Sequence, residues 1–260
     1  MIAIALSGLM PPLAIAVASW LASLPLRDAS IADRVWPWLV AAPVAAYAWL
    51  LGAPSARAAC MTALLVLWSV RLCAYITWRN WGHGEDRRYA AMRAEHGTSF
   101  PRRSLVTVFL LQGVLGWLVS WPLLAGWAGQ RPMGALDLAG GALALFGIAF
   151  EAAADAQLAR FRAAPGQHGQ VLREGLWRWS RHPNYFGEAC TWWGLGLMGL
   201  AALGPAGAWC LASPLLMTML LLRVSGVSLL ERDIADRRPG YSDYVQRTSA
   251  FFPRPPRRQA

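Results

Sequence analysis

The chain has 260 residues, 56% hydrophobic and 15% charged, with a formal net charge of +10. Soluble domains carry about a quarter charged residues, so an ordinary soluble enzyme is excluded. A nucleic-acid reader would need a basic face on a soluble module; the sequence has none, and its 24 basic residues, all arginine, punctuate apolar runs instead.

A hydrocarbon core of about 30 Å needs about 20 apolar residues per helix. Seven runs qualify, at about 2–24, 35–52, 58–78, 104–124, 134–152, 185–203 and 206–230. Helices satisfy every backbone group within lipid. The expected fold is therefore all-α, a polytopic bundle of about seven transmembrane helices forming a single membrane-embedded domain over 1–260. The first run lacks a charged start and reads as a helix rather than a cleaved leader. The third is interrupted by Arg71, with Tyr75 and Arg79 following at i+4 and i+8 on the same face. Arg71 either points into the bundle or snorkels to the interface, and Tyr75 either joins it or belongs to an interfacial aromatic belt. Twenty of the arginines collect at 27–34, 79–103, 153–184 and 231–260. That bias predicts an N-terminus outside, a C-terminus in the cytoplasm and cytoplasmic loops at 79–103 and 153–184. The positive charge also implies contact with anionic lipids; the all-arginine, alanine-rich composition is bacterial in character, so a bacterial inner membrane is the expected location.

Polar residues at the ends of these runs are the candidate chemistry. The loop after the third span reads WRNWGHGEDRRY (78–89), either a solvated charge cluster or, given its aromatics, a structured cap. At the end of the fifth span Glu151 and Asp155 stand at i,i+4, and Arg162 lies seven beyond Asp155, so the three share a helix face. The stretch WSRHPNYFGE (179–188) opens the sixth span. Pro183 suits a first helical turn, and Asn184 and Glu188 follow on one face with Tyr185 beside them. Arg181 and His182 precede them at a helix start, where unpaired N–H groups and the dipole attract anions or amides. One short polar residue suffices for a cap; this many points to ligand binding. The string GLGLMG (194–199) matches a dinucleotide fingerprint, but that fingerprint needs a strand before it and a soluble βαβ setting. Inside an apolar helix, small residues favour close packing. The tail ends the last span at Glu231 and places Tyr241 and Tyr244 at helical spacing. The four cysteines lie in apolar runs without metal-ligand spacing, so no metal is expected.

The block from Asp155 through Arg162 to GLWRWSRHPNYFGE (175–188), with SGVSLLE (225–231) and YSDY (241–244) in the tail, resembles the steroid 5-alpha-reductase-like membrane family and its bacterial branch. The likeness runs from Arg71, Tyr75 and the EDRRY string (85–89) to the tail. The core string alone is shared with isoprenylcysteine and phospholipid methyltransferases and with sterol reductases. The resemblance implies an enzyme that binds NADPH and passes a hydride to the C=C bond of an α,β-unsaturated carbonyl on a lipophilic small-molecule substrate. By the same likeness Asp155, Arg162, Asn184 and Glu188 fall at cofactor-contacting positions. Glu151, Arg181, His182 and Tyr185 accompany them, as do Glu231 and Tyr241 of the tail. Tyr75 falls where a tyrosine polarises the substrate carbonyl, and Asp33 is the counterpart of that tyrosine's acidic partner. Glu151 stands where eukaryotic members carry Asn. The alternative is an S-adenosylmethionine-dependent methyltransferase acting on a lipid or prenylated substrate. Membrane lipids are the expected surroundings, with no nucleic acid and no obligate protein partner.

Overall fold

A computed structural model describes residues 1–167, 169–224, 238 and 240–257. All regular structure among them is helical, without a strand, and the protein is an all-α membrane protein. Among the described residues, five helical stretches have the length and apolarity to cross a bilayer: Ile2–Leu26, Ala56–Asn80, Arg87–Ala128, Ala135–Ala163 and Pro183–Arg223.

The expected spans 2–24, 58–78 and 104–124 each fall within one of these, and 134–152 does so from Ala135 on. Span 185–203 and the described part of 206–230, as far as Arg223, share the last stretch, but Gly204 between them has φ 65°. An α-helix has no place for that left-handed conformation, and the α-helix ends at Leu203. The run 35–52 divides into Ile31–Ala41 and Pro43–Leu51. Pro43 takes the first-turn position of the second piece, where its missing N–H costs nothing.

The chain forms two compact units. The first comprises Met1–Asp137 with Met198–Ser213, the second Leu138–Leu197 with Pro214–Ala260. In the first unit the helices are α1 (Ile2–Ser7), α2 (Met10–Leu26), α3 (Ile31–Ala41), α4 (Pro43–Leu51), α5 (Ala56–Asn80), α6 (Arg87–His96), α7 (Phe100–Ser104), α8 (Leu111–Val119) and α9 (Trp121–Ala128). α3 is central to it and packs on α2, α5 and α8. Gly116 of α8 makes this possible: a Cβ there would stand 2.9 Å from the Leu39 carbonyl. Ser69 of α5 donates to the Pro37 carbonyl at 3.1 Å, so a polar contact joins α5 to α3 at the proline. Helices α10 (Ala135–Ala163) and α11 (Pro183–Leu203) follow, then α12 (Ala212–Met219) and α13 (Tyr241–Arg247).

Within the second unit α10 and α11 run antiparallel at backbone contact. Gly187 lies on Glu151, Gly147 on Thr191 and Gly194 on Ala144. Gly194, the first glycine of GLGLMG, is therefore a packing residue inside a helix. Small residues let transmembrane helices approach this closely, and the same contact sets which side chains of α10 and α11 meet.

Candidate functional site

That register brings the expected residues of α10 and α11 together in the second unit. Glu151 lies against Gly187, where a Cβ would sit 2.6 Å from the Glu151 nitrogen. One turn along, Asn184 Nδ2 donates to Asp155 Oδ1 at 3.3 Å. Glu188 is one turn into α11 from Asn184, on the same face. Glu151, Asp155 and Glu188 are only 2, 3 and 7% exposed. Burying a carboxylate is costly unless it is hydrogen-bonded or paired, and ionisable groups at membrane depth mark functional positions by default. Asn184 Oδ1 is buried and accepts no hydrogen bond among the described residues. His182 is buried and stacks on Tyr185, with ring centroids 5.4 Å apart and planes at 3°. Arg160 and Arg162 stand exposed in the last turn of α10.

The segment before α11 is fastened on two sides. From α10, Gln157 Oε1 accepts the Leu176 N–H at 2.9 Å, and the Ala154 carbonyl accepts Trp177 Nε1 at 3.0 Å. From the tail, Tyr244 Oη donates to the Trp177 carbonyl at 2.5 Å. Ser180 Oγ donates to the Phe251 carbonyl at 2.8 Å, and Arg181 N to the Ser249 carbonyl at 2.8 Å. Arg181, expected at the cofactor, directs its guanidinium to the carbonyls of Val245 and Thr248, at 3.2 and 2.7 Å. It thus ties the motif to the tail. Tyr241 packs edge-on against Tyr244. Glu231 lies outside the described residues. Gln157, Trp177 and Tyr244 are supporting residues with no assigned part in the sequence reading. Their bonds reach 19 to 67 residues along the chain, so no local pattern announces them.

The first unit holds a second polar network. Asp33, in the first turn of α3, accepts Tyr89 Oη at 2.6 Å and Arg88 Nη2 at 2.5 Å. Asp86 caps α6 by accepting Arg88 N at 2.9 Å, and its own N–H donates to Ser30 Oγ at 2.7 Å. Glu85 accepts a two-pronged contact from Arg93, at 2.9 and 2.7 Å, and the Ala29 N–H at 2.8 Å. The Arg93 hydrogen bonds hold the Glu85 carboxyl below its ordinary range against the opposing effect of burial. Burial raises Asp86 in the same way, but its hydrogen bonds to Arg88 outweigh that, and it too titrates low. The EDRR stretch is thus a structured clasp between the loop and the start of α3. Tyr75 is half-buried, 6.2 Å from the Trp78 ring and 5.6 Å beneath the Arg79 guanidinium. Asp33, expected as its acidic counterpart, has both oxygens engaged by Tyr89 and Arg88. Gln112 Nε2 approaches the same Tyr89 hydroxyl at 3.4 Å.

Fold and site define an all-helical membrane protein with buried carboxylates gathered on one antiparallel helix pair. The chain belongs to the family described as "Protein of unknown function (DUF1295)", whose model matches residues 19–248. It is similar to an uncharacterized protein of Schizosaccharomyces pombe, 26% identical over 264 aligned residues that cover 90% of this chain and 75% of the relative. No solved structure matches it.

Proposed function

We propose that the protein is a membrane-embedded, NADPH-dependent reductase that adds a hydride to the C=C bond of a lipophilic α,β-unsaturated carbonyl. The observation that carries this reading is Asn184. Its Oδ1 is buried without a hydrogen bond among the described residues, beside three buried carboxylates. An amide oxygen and carboxylates are acceptors, and they suit the carboxamide N–H2 and ribose hydroxyls of a nicotinamide nucleotide. Arg160 and Arg162, at the exposed end of α10, supply the guanidinium chemistry that phosphates require. The residues present therefore fit the cofactor in kind. When bound, NADPH supplies the hydride.

Hydride addition to an enone builds negative charge on the carbonyl oxygen, which a positioned donor stabilises. Tyr75 is the proposed donor, by its correspondence with the carbonyl-polarising tyrosine of steroid 5-alpha-reductase-like enzymes, to which this family is linked. Tyr89 holds the Asp33 carboxylate. It is the alternative donor. In the proposed orientation these groups serve the cytoplasmic side of a bacterial inner membrane.

A second reading has its own support. Buried carboxylates also suit the ammonium and sulfonium charges of S-adenosylmethionine, which a methyltransferase would hold. Thermal unfolding of the detergent-purified chain with NADPH, NADH or S-adenosylmethionine separates the two. A ligand at 100 times its Kd stabilises by about 2.7 kcal/mol. Stabilisation by NADPH is expected; stabilisation by S-adenosylmethionine alone would sink the reductase reading.

A further inference from the structure

The start of α10 borders an open groove of about 490 Å³ that the proposed reaction does not use. It belongs wholly to the first unit, with apolar walls from Leu136, Leu200 and Pro205. Arg57 fixes its rim. Buried to 2% exposure, Arg57 holds Asp137 through Nε at 2.6 Å and Nη2 at 2.8 Å. It also donates to the carbonyls of Arg131 and Pro132, at 2.7 and 3.0 Å. Gly134 N donates to Asp137 Oδ2 at 2.9 Å. The Asp137 charge is thus matched inside the protein and unavailable to its neighbour.

That neighbour is Arg131. Its side chain is exposed, and no described carboxylate pairs with it. Its guanidinium lies on Gly204, where a Cβ would collide with it and where φ is +65°. Only a glycine permits both the backbone conformation and the overlying cation. Among the described residues the groove thus carries one positive charge without a carboxylate partner, placed where α5 and α10, both long and apolar enough to cross a membrane, begin and α11 ends.

We propose that this groove binds an anionic phospholipid, the headgroup phosphate on Arg131 and the first acyl carbons on Leu136, Leu200 and Pro205. Guanidinium recognises phosphate bidentately. With Arg57 and Asp137 cancelling, the local net charge is that of Arg131, and the first turn of α10 adds its positive dipole end. The volume lies within the range of small-molecule sites. The apolar walls offer nothing to a free phosphate ion, and the cationic group of a zwitterionic lipid would meet Arg131 unfavourably. The site stands apart from the α10–α11 reading and survives its failure.

The test is native mass spectrometry of the full chain in detergent, titrated with phosphatidylglycerol or phosphatidylcholine. Wild type retains one more phosphatidylglycerol than Arg131→Gln, whose affinity at this site falls about tenfold. Arg102→Gln, at an exposed arginine of α7, matches wild type and controls for general attraction of anionic lipid to basic loops. Leu200→Trp fills the groove while leaving Arg131 in place, and also loses the extra lipid. Equal retention by wild type and both groove variants overturns the proposal. So does equal retention of phosphatidylcholine, or competition by inorganic phosphate at concentrations matching the lipid's.

Discussion

Helix α10 carries buried carboxylates near both ends, and an amide with a free oxygen stands beside them at one end only among the described residues. At its start, Asp137 is 2% exposed and meets a guanidinium on both oxygens. Towards its other end, Glu151 and Asp155 are equally buried, and Gly187 and the amide of Asn184 are among their neighbours in register. The first arrangement closes on itself: the charge, the loop carbonyls and the arginine satisfy one another. The second gathers acids and an amide whose oxygen accepts nothing among the described residues. Equal burial of one residue type can thus serve structure or ligand. Partner chemistry decides between them.

The largest expected effect breaks the closed end. Arg57→Ala leaves Asp137 buried without its guanidinium and should cost about 3–5 kcal/mol in thermal or denaturant unfolding. The apolar pair Arg57→Met with Asp137→Leu should recover much of that loss, since replacing both partners of a buried ion pair is often neutral. Nucleotide preference should not change in either.

Next comes the proton donor. Tyr75→Phe should lower turnover of an enone about 100-fold, the cost of one lost donor to a developing oxyanion, while NADPH binding persists. Tyr89→Phe should stay within a few-fold of wild type. The opposite order of these two in steady-state assays would move the role to the Asp33–Tyr89 pair.

At the open end, Asn184→Ala should weaken NADPH about tenfold, the value of one or two hydrogen bonds, and leave unliganded stability nearly unchanged. A large stability loss with unaltered affinity would make Asn184 a structural residue like Arg57.

The smallest effect concerns pH. Glu85 titrates below the ordinary carboxylate range in the fold, so its contribution to stability is present at neutral pH. It is lost as pH falls through that lowered value. Acid unfolding curves of wild type and Glu85→Gln should therefore differ by about 1 kcal/mol at neutral pH and converge in acid. A constant gap at every pH would contradict the assignment.

The apolar runs made most of the membrane helices legible, and the i,i+4 spacings of Glu151 with Asp155 and of Asn184 with Glu188 located the acid cluster. The physical reason is that both signals are local, repeating within a few turns of one helix. The division of 35–52 was visible as Pro43 but masked by hydropathy, which averages across a break. What spacing could not show was pairing. Arg57 finds Asp137 across 80 residues, and Tyr89 reaches Asp33 across 56. Arg181 had the right chemistry for a phosphate, yet its guanidinium is directed to tail carbonyls more than 60 residues away. Chemical type alone does not assign a cation its partner, because backbone carbonyls compete with anions for it.

The most direct measurement of the central claim is a nicotinamide-fluorescence titration of NADPH against wild type, Asn184→Ala, Glu188→Gln and Arg131→Gln. Saturable binding is expected in wild type and Arg131→Gln, with weaker binding in the two α11 variants. Identical curves for all four proteins, or no binding to wild type, would contradict the assignment of the α10–α11 acids to the nicotinamide nucleotide.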